Sequence, residues 1–202
     1  MAYQNLSDYL SESAEVVLAT ATLHMDAALE KAADLCVVAL KANAPILVCG
    51  NGGSAADAMH IAGELIARYL KERPGYNCIC LSSNAAMLTA WVNDYEYDSV
   101  FARQVQTFGV KGAALIAIST SGNSKNVIQA VMKAKEMEMS VIGLTGNGGG
   151  KMKEMCDVLL DAPSKFTPMI QQVHTCLYHY LCERIEAKMC EAEAATLIKQ
   201  VG

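Results

Sequence analysis

The sequence predicts an α/β fold: a doubly wound, five-stranded parallel sheet sandwiched between helices. Three observations carry this. Between residues 46 and 160 short apolar runs recur, and they are continuous rather than alternating, as strands buried on both faces must be. Segments with helical spacing separate most of the runs, as the crossovers of a parallel sheet require. Polar loops rich in glycine and serine follow two of the runs directly and lead into helices.

In chain order, Leu6, Leu10, Val16, Val17, Leu23, Ala27 and Leu29 recur at helical spacing, and Leu35, Val38 and Leu40 continue the pattern. These leading helices are expected to cover the sheet or build an oligomer interface. Asn43, Ala44 and Pro45 end the region. Residues 46–49 form the first strand, closed by Gly50, Asn51, Gly52 and Gly53. Residues 55–70 read as helix, stopped by Arg73, Pro74 and Gly75, and 77–81 as the second strand. Residues 85–108 are helical or irregular around Asn93 and Asp94. The third strand, 114–118, runs into a serine-rich loop at 119–124 and a helix at 125–138. The fourth strand is 140–144, followed by a loop containing Gly146, Gly148, Gly149 and Gly150; the fifth is 156–160. A long final helix spans 168–189. The expected organisation is a single domain over 1–202: an N-terminal helical region (1–44), an α/β core (45–189) and a C-terminal extension (190–202).

Composition narrows the function. The chain has 202 residues, 52% of them hydrophobic and 18% charged, which excludes a disordered or collagen-like polymer. A net charge of -5 disfavours phosphate-driven nucleic-acid binding, though it leaves room for one small anion. No apolar run approaches the ~18 residues of a membrane span. The polar, acidic first residues carry no basic or apolar signal region, and the eight cysteines are scattered without a CxxC pair. A cytoplasmic protein with reduced cysteines is therefore expected, with no nucleic-acid or membrane partner.

In an open α/β sheet, ligands sit beyond the carboxyl ends of the strands. Two polar loops fall there. In the first, Gly50 to Ser54, glycines let the backbone approach a ligand and a helix begins near Ser54. In the second, Ser119, Thr120, Ser121 and Ser124 supply four hydroxyls around Gly122 at another helix start, a neutral phosphate cradle that needs no lysine. Either loop alone also fits a plain cap and turn. The chain has no GxxxxGK[ST] and no GxGxxG after the first strand, so neither a nucleotide P-loop nor a dinucleotide site is expected. His60 and Glu64 stand at i and i+4 and share one helix face; the spacing alone favours an ordinary solvent-facing pair, which is common on helices.

The ordered set CGNGGSAADAMHIAGELIARY (49–69), RPGY (73–76), ND (93–94), ISTSGNS (118–124), LTGNGGGKM (144–152) and TPMIQQVH (167–174) resembles the sugar-isomerase (SIS) family. The likeness runs from the N-terminal helices to about Met189; residues 190–202 lie outside it. It implies an aldose–ketose isomerase converting sedoheptulose 7-phosphate to D-glycero-D-manno-heptose 7-phosphate, the first step towards nucleotide-activated heptose. It also implies residue roles. Glu64 is the proton-transferring carboxylate and His179 its acid–base partner. His60, Glu64, Gln171 and His179 are the ligands of one zinc ion per subunit. Asn51, Gly52, Gly53, Ser54, Glu64, Asn93, Asp94, Ser119, Thr120, Ser121, Ser124 and Gln171 hold the sugar phosphate. Asp94 and Arg68 are available as polar wall residues.

Spacing tests these roles. Gln171 and His179 are eight residues apart, about 12 Å along a straight helix, too far for one ion. Either the helix breaks between them or two subunits supply one each. The second alternative is preferred and implies a homotetramer with interface active sites. His174 is the nearest competitor for the histidine role, and His24, with no motif around it, is expected to be structural. The family often has TPRIQ where this chain has Met169, which removes a bidentate guanidinium and leaves the sugar specificity open. Two rival readings remain: a non-catalytic family member that binds a replication-initiator protein, and an isomerase or sensor of another sugar phosphate.

Overall fold

The structure is a computed structural model that describes the backbone of residues 3–201 and the side-chain surroundings of residues 3–194. Its sheet contains β1 (Ile46–Gly50), β2 (Cys78–Cys80), β3 (Ala114–Ser119), β4 (Ser140–Thr145) and β5 (Val158–Asp161). All are parallel, in the order β2-β1-β3-β4-β5. The chain leaves β1 towards β2 and leaves β3 in the opposite direction, towards β4. Right-handed crossovers in opposite directions place α3 (Gly53–Ile66) and α6 (Lys125–Glu136) on opposite faces. The reversal falls between β1 and β3, the position where such sheets open a crevice. Gly50 pairs with Ile118, so the two polar loops leave the sheet side by side.

Every residue of β1 and β3 is buried, which explains why these runs are apolar without alternation. On one side α2 (Asp26–Lys41) packs on the sheet through Leu29, Ala32, Ala33, Cys36, Val37 and Ala39. Beside it runs α7 (Thr167–Val201), a continuous helix that takes in the whole described part of the extension. On the other side α6 packs against α5 (Val100–Phe108). α4 (Ala85–Asp94) and α5 are joined by a short 3₁₀ turn at Tyr97–Ser99. By contrast α1 (Leu6–Ala21) has no buried residue, and Leu6 and Leu18 remain 70% and 67% exposed.

All five strands lie where the apolar runs predicted them. Boundaries moved. α3 stops at Ile66 rather than 70, because Arg73 to Tyr76 fold back under its last turn and take its carbonyls. β2, on the sheet edge, is only three residues long. All eight cysteines are free, and burial pushes the Cys182 thiol up to about 12, an inert packed group. No helix among the described residues is long and apolar enough to cross a membrane.

Gly122 has φ +63°, and a Cβ there would lie 2.0 Å from the Gly149 carbonyl oxygen, so the serine loop and the loop after β4 touch backbone to backbone. Gly148 has φ +83° but open space around it. Gly122→Ala should therefore cost more than about 2 kcal/mol, strain plus a backbone clash, whereas Gly148→Ala should cost only the roughly 1 kcal/mol of a left-handed alanine. Urea unfolding of the two variants measures the difference; equal losses would remove the close approach as the cause.

Candidate active site

The two loops at the crevice are tied by side-chain amides. Asn51 Nδ2 donates to Asn126 Oδ1 and Asn126 Nδ2 donates to Asn51 Oδ1, both at 2.8 Å. Tyr97 OH adds a 2.7 Å bond to Asn51 Oδ1. Asn126 is buried at the first turn of α6, so this ring of bonds sets the first glycine loop against the serine loop. Within the serine loop, Ser119 Oγ lies 2.9 Å from Ser124 Oγ and 3.4 Å from Ser121 Oγ. Ser121 Oγ accepts the Asn123 N–H at 3.1 Å. The hydroxyls thus converge at the start of α6, where the helix dipole favours an anion. Thr120 is partly buried beside them, and its carbonyl accepts the Gly146 N–H. Ser54 is buried in the first turn of α3, and Gly52 precedes it with φ +55°.

A second cluster lies further along α3, where that helix meets α7. His60 Nε2 is 3.0 Å from Glu64 Oε1, the i,i+4 pair of one face. Tyr178 OH is 2.9 Å from His60 Nδ1. Burial raises the Tyr178 phenol above its ordinary range, so it stays protonated and donates. The tautomer with its proton on Nε2 then satisfies both bonds of His60. The His179 ring stands edge-on to His60 with centroids 4.9 Å apart, and Tyr69 stacks on His179 at 6.0 Å. One ligand atom each from His60, Glu64 and His179 lies within 4.8 Å of the others, a set of two imidazoles and a carboxylate that suits zinc. The Glu64 side chain is 23% exposed and that of His60 45%, so the pair is reachable from solvent. One turn before His60, burial pushes the Asp57 carboxyl up to about 6, with the nearby His60 opposing, and its Oδ2 is buried without a partner.

The fold separates the remaining predicted residues. α7 does not break between Gln171 and His179. Gln171 packs on Gly53, where a Cβ would meet its Nε2 at 2.2 Å. That places Gln171 at the start of α3, about 10 Å along the helix from His60, and not against His179. His174 is fully buried and donates from Nε2 to the Thr145 carbonyl at 2.9 Å, which removes it as a competitor for the exposed cluster. Met169 is also fully buried and presents nothing to the crevice. Asn93 donates to Asp94 Oδ1 at 2.8 Å at the end of α4, and Asp94 lines a separate cleft of about 320 Å³ with Trp91, Tyr95 and Arg103. Arg68 is exposed and pairs with Glu72 at 3.8 Å. His24 occupies the exposed α1–α2 turn with φ +50°. Sequence reasoning missed Asn126, Tyr97, Tyr178 and Tyr69. Tyr178 carried a local signal as the neighbour of His179, and Tyr69 as the last residue of the 49–69 motif; Asn126 and Tyr97 carried none.

Comparison with known proteins bears on this geometry. The sequence matches the SIS domain family over residues 8–146. It is 50% identical over 163 residues to a phosphoheptose isomerase of Rhodospirillum rubrum, covering 81% of this chain and 87% of that protein. It is 51% identical over 159 residues to the phosphoheptose isomerase of Helicobacter pylori, covering 79% and 83%. Among solved structures, phosphoheptose isomerase GmhA from Neisseria gonorrhoeae superposes with a TM-score of 0.84 at 39% identity, over 90% of this chain and 97% of that one.

His174 makes the fold sensitive to acid. Burial lowers its pKa to about 4 from the ordinary 6.5, so the unfolded chain binds the proton first and stability falls as pH drops from 6.5 towards 4. Between pH 7 and pH 5 the wild type should lose about 2 kcal/mol more than His174→Gln, which has no proton to take up. Urea titrations at the two pH values test this; parallel losses would show that another group governs the acid limb.

Proposed function

The chain belongs to the SIS-domain family, and from that premise we infer that it is a phosphosugar isomerase, interconverting sedoheptulose 7-phosphate and D-glycero-D-manno-heptose 7-phosphate as ketose and aldose. The observation that carries the chemistry is the convergence of Glu64, His60 and His179 from α3 and α7 onto one exposed spot. Isomerisation moves one proton between neighbouring carbons and one between their oxygens. Glu64, as carboxylate, takes the proton from C1 of the ketose and returns it to C2 of the enediol. His179 moves the proton between the oxygens. Such an acid–base pair contributes about 10²–10⁴-fold.

The phosphate end is assigned to Ser54, Ser119, Thr120, Ser121 and Ser124, with Asn51, Gly52 and Gly53 forming the wall shared with the glycine loop. Neutral hydroxyl and amide donors at helix starts suit a dianion that must also be released. Asn93, Asp94 and Gln171 are assigned to the sugar hydroxyls, although Asn93 and Asp94 stand apart from the His60–Glu64–His179 cluster of their own chain, at the end of α4.

The donor chemistry of His60, Glu64 and His179 fits a divalent ion, with zinc favoured by two imidazoles and a carboxylate. Gln171 is assigned as a further ligand from a second subunit, since within its own chain it lies at Gly53. A bound ion would supply electrophilic polarisation of the sugar carbonyl. We assign a homotetramer on the same ground, supported by the unburied apolar residues of α1. The same reading treats the chain as one domain and places it in the cytoplasm.

Two measurements test these assignments. Glu64→Gln keeps the shape and removes the base, so kcat for aldose formation from sedoheptulose 7-phosphate should fall at least about 10²-fold while sugar-phosphate binding persists; near wild-type turnover would remove Glu64 as the base. Light scattering should give four times the 21.6 kDa chain mass, and an active monomer would sink the shared site.

A further inference from the structure

Arg73 and Glu186 form an ion pair with both side chains only 1% exposed, Nε to Oε1 at 3.0 Å. Neither residue faces the crevice, yet the remaining bonds of Arg73 run to the end of α3 that carries Glu64, and those of Glu186, itself on the helix of His179, run to the segment whose Tyr69 stacks on His179. Arg73 Nη2 donates to the backbone carbonyl of Glu64 itself at 2.9 Å, and Nη1 donates to the carbonyls of Leu65 and Ala67 at 2.8 and 3.2 Å. These are orphan carbonyls at the end of α3, which stops at Ile66, two residues past Glu64. Glu64 therefore stands in the last turn of its helix, the turn that frays first. A cation sealing those carbonyls holds that turn. The Tyr76 ring lies 4.0 Å under the guanidinium, and Gly75 passes so close to the Ile66 carbonyl that a Cβ would meet it at 2.5 Å. The RPGY segment is thus a folded-back cap on α3.

Glu186 holds the other partner. Oε1 accepts the Tyr69 N–H at 2.9 Å, and Oε2 accepts the Leu70 and Lys71 N–H groups at 2.7 and 2.8 Å. Tyr69 is the residue whose ring stacks on His179. Glu186 also lies seven residues beyond His179 on α7, two turns along the same face.

We propose that the buried Arg73–Glu186 pair is a positioning device for the reaction: it locks Glu64 through the end of α3, and His179 through Tyr69 and α7, into one mutual geometry. Stability alone does not call for it, since a buried ion pair recovers its desolvation cost poorly against an apolar pair of the same size. A proton-transfer site does call for it, because a displacement of about 1 Å can cost about 10²-fold. The proposal rests on the reading of Glu64 and His179 as the acid–base pair.

The test uses the intact protein with Arg73→Lys, Glu186→Gln, the double variant, and Val141→Ala in β4 as a destabilised control away from the pair. Arg73→Lys keeps the charge but cannot reach Glu64, Leu65 and Glu186 at once. Well below each variant's Tm, kcat should fall about tenfold or more in Arg73→Lys with KM within about threefold, and less in Glu186→Gln, which keeps one acceptor oxygen. The double variant should lose little more than the worse single one, because one device fails once. The control should keep its kcat. Crystal structures of the variants should show Glu64 and His179 displaced from each other over an unchanged sheet. Control-like kcat values, or Glu64 and His179 superposing on the wild type, would each overturn the proposal. If Arg73→Lys does not fold, Glu186→Gln carries the same measurements. Absence of turnover in the wild type would instead defeat the isomerase reading, and the crystallographic comparison would still decide whether the pair fixes the two side chains.

Discussion

The site depends on one packing relation: α3 and α7 lie side by side and run in the same direction. Three contacts mark it, Gln171 on Gly53, Tyr178 on His60, and Glu186 on Arg73 just past the end of α3. Two helices with the same rise per residue stay in step when they run parallel, so one correct alignment sets every later pair. Gly53 makes the alignment possible, because a side chain there would occupy the place of the Gln171 amide. His174 fixes α7 to the sheet as well, through its bond to the end of β4. The helix that brings His179 to Glu64 is thereby held to its neighbour at Gln171 and at Glu186, on either side of His179, and to the sheet through His174.

The crevice between β1 and β3 divides the work along α3. Near the sheet the helix starts at a glycine loop, its neighbour loop carries the hydroxyls, and the Asn51–Asn126 amide pair sets the distance between them. This end has N–H dipoles and neutral donors, suited to a phosphate. Two and three turns on, the same helix presents His60 and Glu64 to His179. On the proposed reading, the rigid helix between the glycine loop and this cluster acts as a ruler for an extended sugar phosphate. The arrangement follows from the right-handed crossover and needs no long loop.

Much of this was legible in the residues. Continuous apolar runs located all five strands, since a parallel strand buried on both faces has no polar side to show. The glycine and serine loops were visible because few residue types permit close backbone approach or line a neutral anion site. His60 and Glu64 could be paired because they are one helical turn apart. The arithmetic on Gln171 and His179 also held: with α7 unbroken, the two point to different places in one chain.

What the sequence determined by itself were the properties that depend on near neighbours: strand runs, helix faces, turn residues and i,i+4 pairs. Only the tertiary structure decided the relations between distant segments. Nothing in the order of residues shows that Arg73 pairs with Glu186, that Asn126 answers Asn51, or that Tyr69 stacks on His179. It also set apart two histidines five positions apart on one helix, burying His174 against the sheet and leaving His179 at the cleft. The physical reason is that burial and partner choice belong to the packed surfaces of two elements. Those surfaces exist only after sheet order and helix alignment have brought them together.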